Sequence, residues 1–335
     1  MDFHTLTILN RPGLKVKISR KDHSGEPFAQ NVLHGLSATP KKLSPKYLYD
    51  ETGSNLFEQI CELPEYYPTR TERAIIKHYA DQIASLCDRD VAVIELGSGS
   101  SRKTRLFIDA FLRADHKLHY LPVDISKSML VNSAKALLKR YPKLRITALV
   151  SDYFIALSAL KERQHQQKLI LFLGSSIGNF EKDVAEDFFK RIRATMNERD
   201  MLLIGMDLLK SEDILVPAYD DAQGVTAAFN LNLLTRMNRE LGANFDLANF
   251  RHKINFNQQE GRIEMHLESL REQRVRVGQL QRWFNFAKGE TIHTENSYKY
   301  TRERICEMAQ RGGLRINSSW YDEREWFSLN LMSPA

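Results

Sequence analysis

The stretch 91–104, VAVIELGSGSSRKT, constrains the fold of this chain more than any other. An apolar, β-branched run ends in Glu95, a turn of small residues follows (Gly97 to Ser101), and a helical pattern begins near Arg102. The order is strand, glycine turn, helix. Glycine lets a ligand lie against the backbone, and the N–H groups of the following helix point at its polar atoms, so a nucleoside-bearing cofactor is expected. A dinucleotide fingerprint needs G-x-G-x-x-G, but Arg102 occupies the place of the third glycine. A phosphate-binding loop, G-x-x-x-x-G-K-[ST], fails at the same residue. On this stretch alone, a buried strand followed by a flexible turn is an equally good reading.

The chain beyond the turn supports a nucleoside. A second strand, His119 to Val123, ends at Asp124, where a carboxylate can accept both ribose hydroxyls. A third, Arg145 to Val150, ends at Ser151-Asp152-Tyr153-Phe154, an acid beside aromatics that suits an adenine; a plain helix cap is the alternative use of Asp152. A fourth, Leu169 to Leu173, runs into GSSIGNF and sets Asn179 at the ligand end of the sheet. Met201 to Met206 is a fifth. No D/N-P-P-Y signature is present, which argues against base-flipping chemistry on nucleic acid.

Alternation of strand and helix then stops. A broken helix (211–241), a hairpin (254–267) and further short strands precede a helix ending at Gly312-Gly313 and two closing strands. The expected class is α/β, a doubly wound sheet built from 71–209 and 299–335. A second, α+β domain is expected from 1–70 together with an insertion, 210–298. Within 1–27, the runs LTIL and LKVKI predict an edge hairpin or loose arm; a helix with Ser54 as N-cap and a turn at Tyr66-Tyr67 come before the first sheet strand.

The 335 residues suffice for two domains, and the net charge of +6 is spread among interleaved acids, a solvated surface rather than a nucleic-acid groove. Cys61, Cys87 and Cys306 are isolated and lack zinc spacing, so neither disulfide nor metal is expected. No stretch reads as a signal peptide or membrane span. The expectation is a cytoplasmic monomer acting on a small molecule, with no nucleic-acid or membrane partner.

The acid two places before Gly97, with only two glycines, resembles the first motif of S-adenosylmethionine (SAM) methyltransferases. The segments PKYLYDETGSNLFEQI, LPEYYPTRTE, ELGSGSSRKTR, FLGSSIGN, AYDDAQGVTAAFN, IEMHL and TENSYKY together resemble the histidine-specific SAM-dependent methyltransferases of ergothioneine biosynthesis, from about Leu36 onward. The resemblance implies trimethylation of the L-histidine α-amino group to hercynine. It implies a SAM site of Tyr66, Gly97, Lys103, Asp124, Asp152 and Tyr153, the last standing where the family usually carries phenylalanine. It implies an amino-acid pocket of Tyr49, Phe57, Tyr66, Asn179, Tyr219, Met265, Glu295 and Ser297. In that pocket Asn179 and Tyr219 would bind the carboxylate, Glu295 and Ser297 the imidazole, and Tyr49 and Asn179 would orient the amine as the catalytic pair.

General chemistry agrees. Methyl transfer from a sulfonium is an in-line displacement, so positioning a neutral amine is the main task. An α-amino group titrates near ~8, and no strong base is required. Competing readings are a methyltransferase of the same fold for another amine such as tryptophan, a nucleic-acid-binding protein, and a nucleotide-hydrolysing P-loop protein.

Overall fold

A computed structural model describes residues 5–19, 27–160 and 166–335. The chain opens with a hairpin, β1 (Thr5–Arg11) and β2 (Leu14–Ser19). Helix α1 (Phe28–Ser37), the two-residue strand β3 (Lys41–Lys42), α2 (Glu51–Ile60) and α3 (Tyr67–Ser85) follow. Alternation then sets in: β4 (Asp90–Leu96), α4 (Thr104–Arg113), β5 (Lys117–Asp124), α5 (Lys127–Arg140), β6 (Arg145–Val150), α6 (Tyr153–Leu160), β7 (Gln167–Phe172), α7 (Lys182–Thr195) and β8 (Met201–Asp207). Two helices, α8 (Glu212–Leu215) and α9 (Val225–Leu241), lead to β9 (Phe250–Asn257), β10 (Arg262–Ser269), β11 (Gln273–Val277), β12 (Arg282–Phe286) and β13 (Thr291–Tyr298). Helix α10 (Arg302–Arg311), β14 (Leu314–Tyr321) and β15 (Phe327–Pro334) complete the chain.

Contacts divide the described residues into two compact units, the first made of 5–19, Pro68–Leu209 and Lys299–Ala335, the second of 27–67 and Lys210–Tyr298. The division keeps 27–67 with the insertion as expected, but places 5–19 and 68–70, expected there too, in the first unit. Strand β2 pairs in parallel with β6, and its Leu14 and Val16 are buried in the core of the larger sheet, so the LKVKI alternation serves that sheet.

In the first unit the sheet order is β1-β2-β6-β5-β4-β7-β8-β15-β14. Strands β2, β6, β5, β4, β7 and β8 run parallel; β15 is antiparallel to β8, and β14 to β15. This is the class I methyltransferase sheet with a hairpin added at one edge. Its middle strands are largely apolar because helices cover both faces: every residue of β4 after Asp90, Glu95 among them, is buried. Parallel strands share one polarity, so the turns after β4, β5, β6 and β7 all emerge at one edge.

The second unit is built on a four-stranded sheet, β3-β13-β10-β9, and a ribbon, β11-β12. Met265 on β10 pairs with Glu295 on β13, and Ile263 with Ser297, so Met265, Glu295 and Ser297 share a face.

Two local expectations fail. Ser54 is not the N-cap of α2: Asp50 is, accepting from the Gly53 N–H at 2.7 Å, because a carboxylate four residues before Ser54 starts the helix earlier. The turn expected at Tyr66-Tyr67 ends at Tyr66, with α3 already begun at Tyr67 and Pro68 in its first turn, where a missing N–H costs nothing. Among the described residues no helix is long and apolar enough to cross a membrane.

Candidate active site

The turn after β4 is held from below by its own acid. Glu95 is buried and accepts from the Thr104 hydroxyl at 2.6 Å and from the Tyr120 hydroxyl, which lies 3.1 Å from Ser101 Oγ. Burial pushes the Glu95 carboxyl up to about 7 against the pull of those hydroxyls and of Lys103. It therefore ties the turn to the start of α4.

Asp124 secures the turn from the side. One oxygen accepts from the Gly99 N–H and the other from the Ser126 N–H, each at 2.8 Å, while Gly97 and Ser98 both donate to the Val123 carbonyl. Burial raises its pKa, and these amides oppose the rise. Gly97 has φ +72°, and a Cβ there would come 2.7 Å from the Tyr153 hydroxyl, so the phenol lies directly on the glycine. The Tyr153 ring packs on Phe172 at 5.3 Å, and burial with the Asp124 and Asp152 charges holds its hydroxyl protonated. Asp152 does cap α6, accepting from the Ile155 N–H at 3.0 Å.

These residues suit an adenosine-bearing cofactor on two counts. The space above Gly99 is open, with nothing within 4 Å of a Cβ built there. Two hydroxyls at the same edge, Ser98 Oγ and Ser151 Oγ, are buried without a hydrogen-bond partner. Buried polar groups of this kind call for a partner.

Lys103 has a partner that its place in the motif did not reveal. Its Nζ pairs with Glu72 of α3, whose side chain is wholly buried and also accepts from the Gly174 N–H at 2.8 and 3.0 Å. One carboxylate thereby joins α3, the turn after β4 and the turn after β7. Gly205 on β8 makes this possible, since a Cβ there would fall 2.0 Å from Glu72 Oε1. Asn179 ends the 3-10 turn Ser176–Asn179 that follows; the turn starts from Ser175 in the left-handed region (φ 55°), whose hydroxyl accepts from the Asp207 N–H at 2.9 Å.

Seven of the eight expected pocket residues lie in the second unit, Asn179 belonging to the first, and ring contacts link four of them. Tyr49 meets Phe57 at 5.5 Å between ring centroids, Phe57 meets Tyr66 at 6.1 Å, and Tyr66 meets Tyr219 at 6.1 Å. The Tyr219 hydroxyl lies 2.7 Å from Ser297 Oγ. Met265, Glu295 and Ser297 are buried on the shared sheet face. Burial raises the Tyr66 hydroxyl well above its ordinary range, with Tyr219, Cys61, Tyr49 and Glu295 adding to the rise, so Glu295 stands within electrostatic reach of the aromatic group. Phe229 of α9, not foreseen as a site residue, belongs to the same cluster, 5.4 Å from Tyr49 and 6.0 Å from Phe57. Its place inside AYDDAQGVTAAFN was the available signal.

Comparison with known proteins agrees with this architecture. The family described as histidine-specific methyltransferase, SAM-dependent, matches residues 28–334. A histidine N-alpha-methyltransferase of Mycolicibacterium smegmatis is 41% identical over 310 residues, 92% of this chain and 96% of that protein. One of Mycobacterium tuberculosis is 39% identical over 94% of this chain and 99% of its own length. Ergothioneine biosynthesis protein 1 of Schizosaccharomyces pombe is 29% identical over 83% of this chain, which matches 37% of that longer protein. With its sheet order, its glycine turn and this match along nearly the whole chain, the protein belongs to the histidine-specific, SAM-dependent methyltransferase family.

Proposed function

We propose that this enzyme transfers methyl groups from SAM to the α-amino group of L-histidine, up to three times, to give hercynine, a step of ergothioneine biosynthesis. The observation that carries the reading is the buried pair Glu295 and Ser297 on one sheet face, with the Tyr219 hydroxyl on Ser297 and an aromatic cluster beside it. A carboxylate and a hydroxyl match the two nitrogens of an imidazole, and an apolar side chain in their place would leave them unpaired, at a cost of about 1–3 kcal/mol.

SAM supplies an electrophilic methyl on a sulfonium. The chain's own residues hold the reactants. Asp124 receives the ribose hydroxyls and Asp152 and Tyr153 the adenine, while Gly97 makes room for the Tyr153 phenol. Lys103, paired with Glu72, would offer the cofactor a positive charge, and Tyr66 would contribute to the cofactor and amino-acid sites. Asn179 and Tyr219 take the substrate carboxylate, Tyr49 and Asn179 orient the amine, and Met265 and Phe57 supply apolar walls. No strong base is needed near an amine that titrates at about 8. The rings of Tyr49, Phe57 and Tyr66 tolerate the growing methylammonium, since aromatic faces attract cations. The enzyme acts in this reading as a cytoplasmic monomer without a nucleic-acid partner.

Methylation assays with SAM over a panel of free amino acids test the proposal. Histidine, then its mono- and dimethyl derivatives, should be turned over; inert histidine beside a reactive tryptophan or other amino acid would overturn the substrate assignment.

A further inference from the structure

His252 and Asn230 have no role in the scheme above, yet both bear on the segment that carries Tyr219. His252 Nε2 lies 2.9 Å from the Tyr219 carbonyl oxygen, and its Nδ1 lies 2.9 Å from Asn230 Nδ2. A carbonyl only accepts, so the imidazole proton sits on Nε2. Asn230 Nδ2 also lies 3.0 Å from the His266 carbonyl oxygen, which fixes the amide: its NH2 faces both groups, and Nδ1 of His252 must accept. Asn230 is fully buried.

A second proton has no place here. On Nδ1 it would point at the Asn230 NH2. Turning the amide would instead set Oδ1 against the His266 carbonyl. The Tyr219 carbonyl and, ahead of α9, the charges of Asp220 and Asp221 favour the imidazolium, but burial outweighs them and keeps the pKa below its ordinary value of 6.5. From α9 the ring meets the neutral Asn230, and its cross-strand neighbour on β10 is Leu267. The neutral ring persists through neutral pH and is lost as pH falls through that depressed value. Tyr219 is thus held at both ends, its carbonyl by His252 and its hydroxyl by Ser297.

We propose that His252 is a positioning residue for the amino-acid site: as the Nε2–H tautomer enforced by Asn230 it anchors the Tyr219 backbone, and a second proton on Nδ1, set against the Asn230 NH2, displaces the ring from that anchor and weakens amino-acid binding. The inference rests on the reading that Tyr219 binds the substrate carboxylate.

The test is KM for histidine and for SAM in the full chain and in His252→Gln and Tyr219→Phe, from about pH 8.5 down to the pH at which the 15N shifts of the wild-type ring show it protonated. Gln carries an N–H where Nε2 lies and cannot take a proton, and the ratio of wild-type to variant KM cancels the titration of the substrate itself. That ratio for histidine should be flat near neutrality and rise about fivefold on the acid side, the worth of one hydrogen bond, with the SAM ratio unchanged. A ratio constant over the whole range, or a SAM KM that moves with it, overturns the inference. If His252→Gln does not fold, the 15N shifts of the wild-type ring decide: an Nε2–H tautomer at neutral pH supports the proposal, an Nδ1–H or cationic ring overturns it. Tyr219→Phe separates the two readings. An unchanged histidine KM there removes the carboxylate role of Tyr219, whereas a raised KM beside a flat His252→Gln ratio removes the positioning role alone.

Discussion

Gly205 sits in the middle of a buried strand, where glycine ordinarily weakens a sheet, and Glu72 explains its presence. In Gly205→Ala the new Cβ would lie 2.0 Å from Glu72 Oε1 and 3.0 Å from Phe327 Cε1. The carboxylate must move, and its partners, Lys103 and the Gly174 N–H, cannot both follow, because they come from different turns. Breaking a buried ion pair costs about 3–5 kcal/mol and a stranded N–H about 1–3; partial relaxation brings the expected loss to about 3 kcal/mol. At ~2–4 °C per kcal/mol for a domain of this size, Tm should fall by about 6–12 °C. Denaturant unfolding in a double-mutant cycle is the assay. In a Glu72→Ala background only the tight contact with the Phe327 ring remains, so Gly205→Ala should there cost under about 1 kcal/mol. An equal cost in both backgrounds would refute the reasoning, since the penalty would then come from the strand and not from the carboxylate.

Asp124→Ala removes the two proposed ribose acceptors and the anchor of Gly99, and should raise the Kd for SAM by roughly tenfold to a hundredfold in calorimetry; unchanged affinity would remove Asp124 from the cofactor site. Glu295→Gln should raise the KM for histidine about tenfold and leave SAM binding alone, because a neutral acceptor bonds an imidazole N–H less strongly than a carboxylate does. Glu95 carries a pH signature. Its folded pKa of about 7 exceeds the unfolded one, so its contribution is whole on the acid side and is lost as pH rises toward and past 7. Glu95→Gln should therefore gain about 2–3 kcal/mol relative to wild type between pH 5 and 8, read from urea unfolding, and a pH-independent difference would count against a proton on that carboxyl.

How far the site was legible in the sequence varied with the range of the contact. The turn after β4 was readable because a strand covered on both faces must be largely apolar, and the break at Gly97 then marks where its backbone turns to the ligand edge. Asp124 and Asp152 followed from the same count, each lying just past an apolar run. Asp152 shows the limit of that count: position at a strand end is equally the position of a helix cap, and the residue does cap α6. Phe229 and Glu72 lay in segments that carried the family resemblance, yet neither stood out, because what distinguishes them is which rings and amides surround them.

The sequence alone determined the strand–turn–helix that opens the cofactor unit, the alternation that makes its sheet parallel, and the point near Leu209 where that alternation stops. Each depends on side-chain period or on glycine's freedom at positive φ, properties of neighbours along the chain. Only the tertiary structure decided that the N-terminal hairpin extends the larger sheet, that Glu72 reaches Lys103 and Gly174 over Gly205, and that His252 and Asn230 settle each other's protons around Tyr219. These are meetings of residues far apart in sequence, and a buried charge or imidazole takes its state from the partners that folding brings to it.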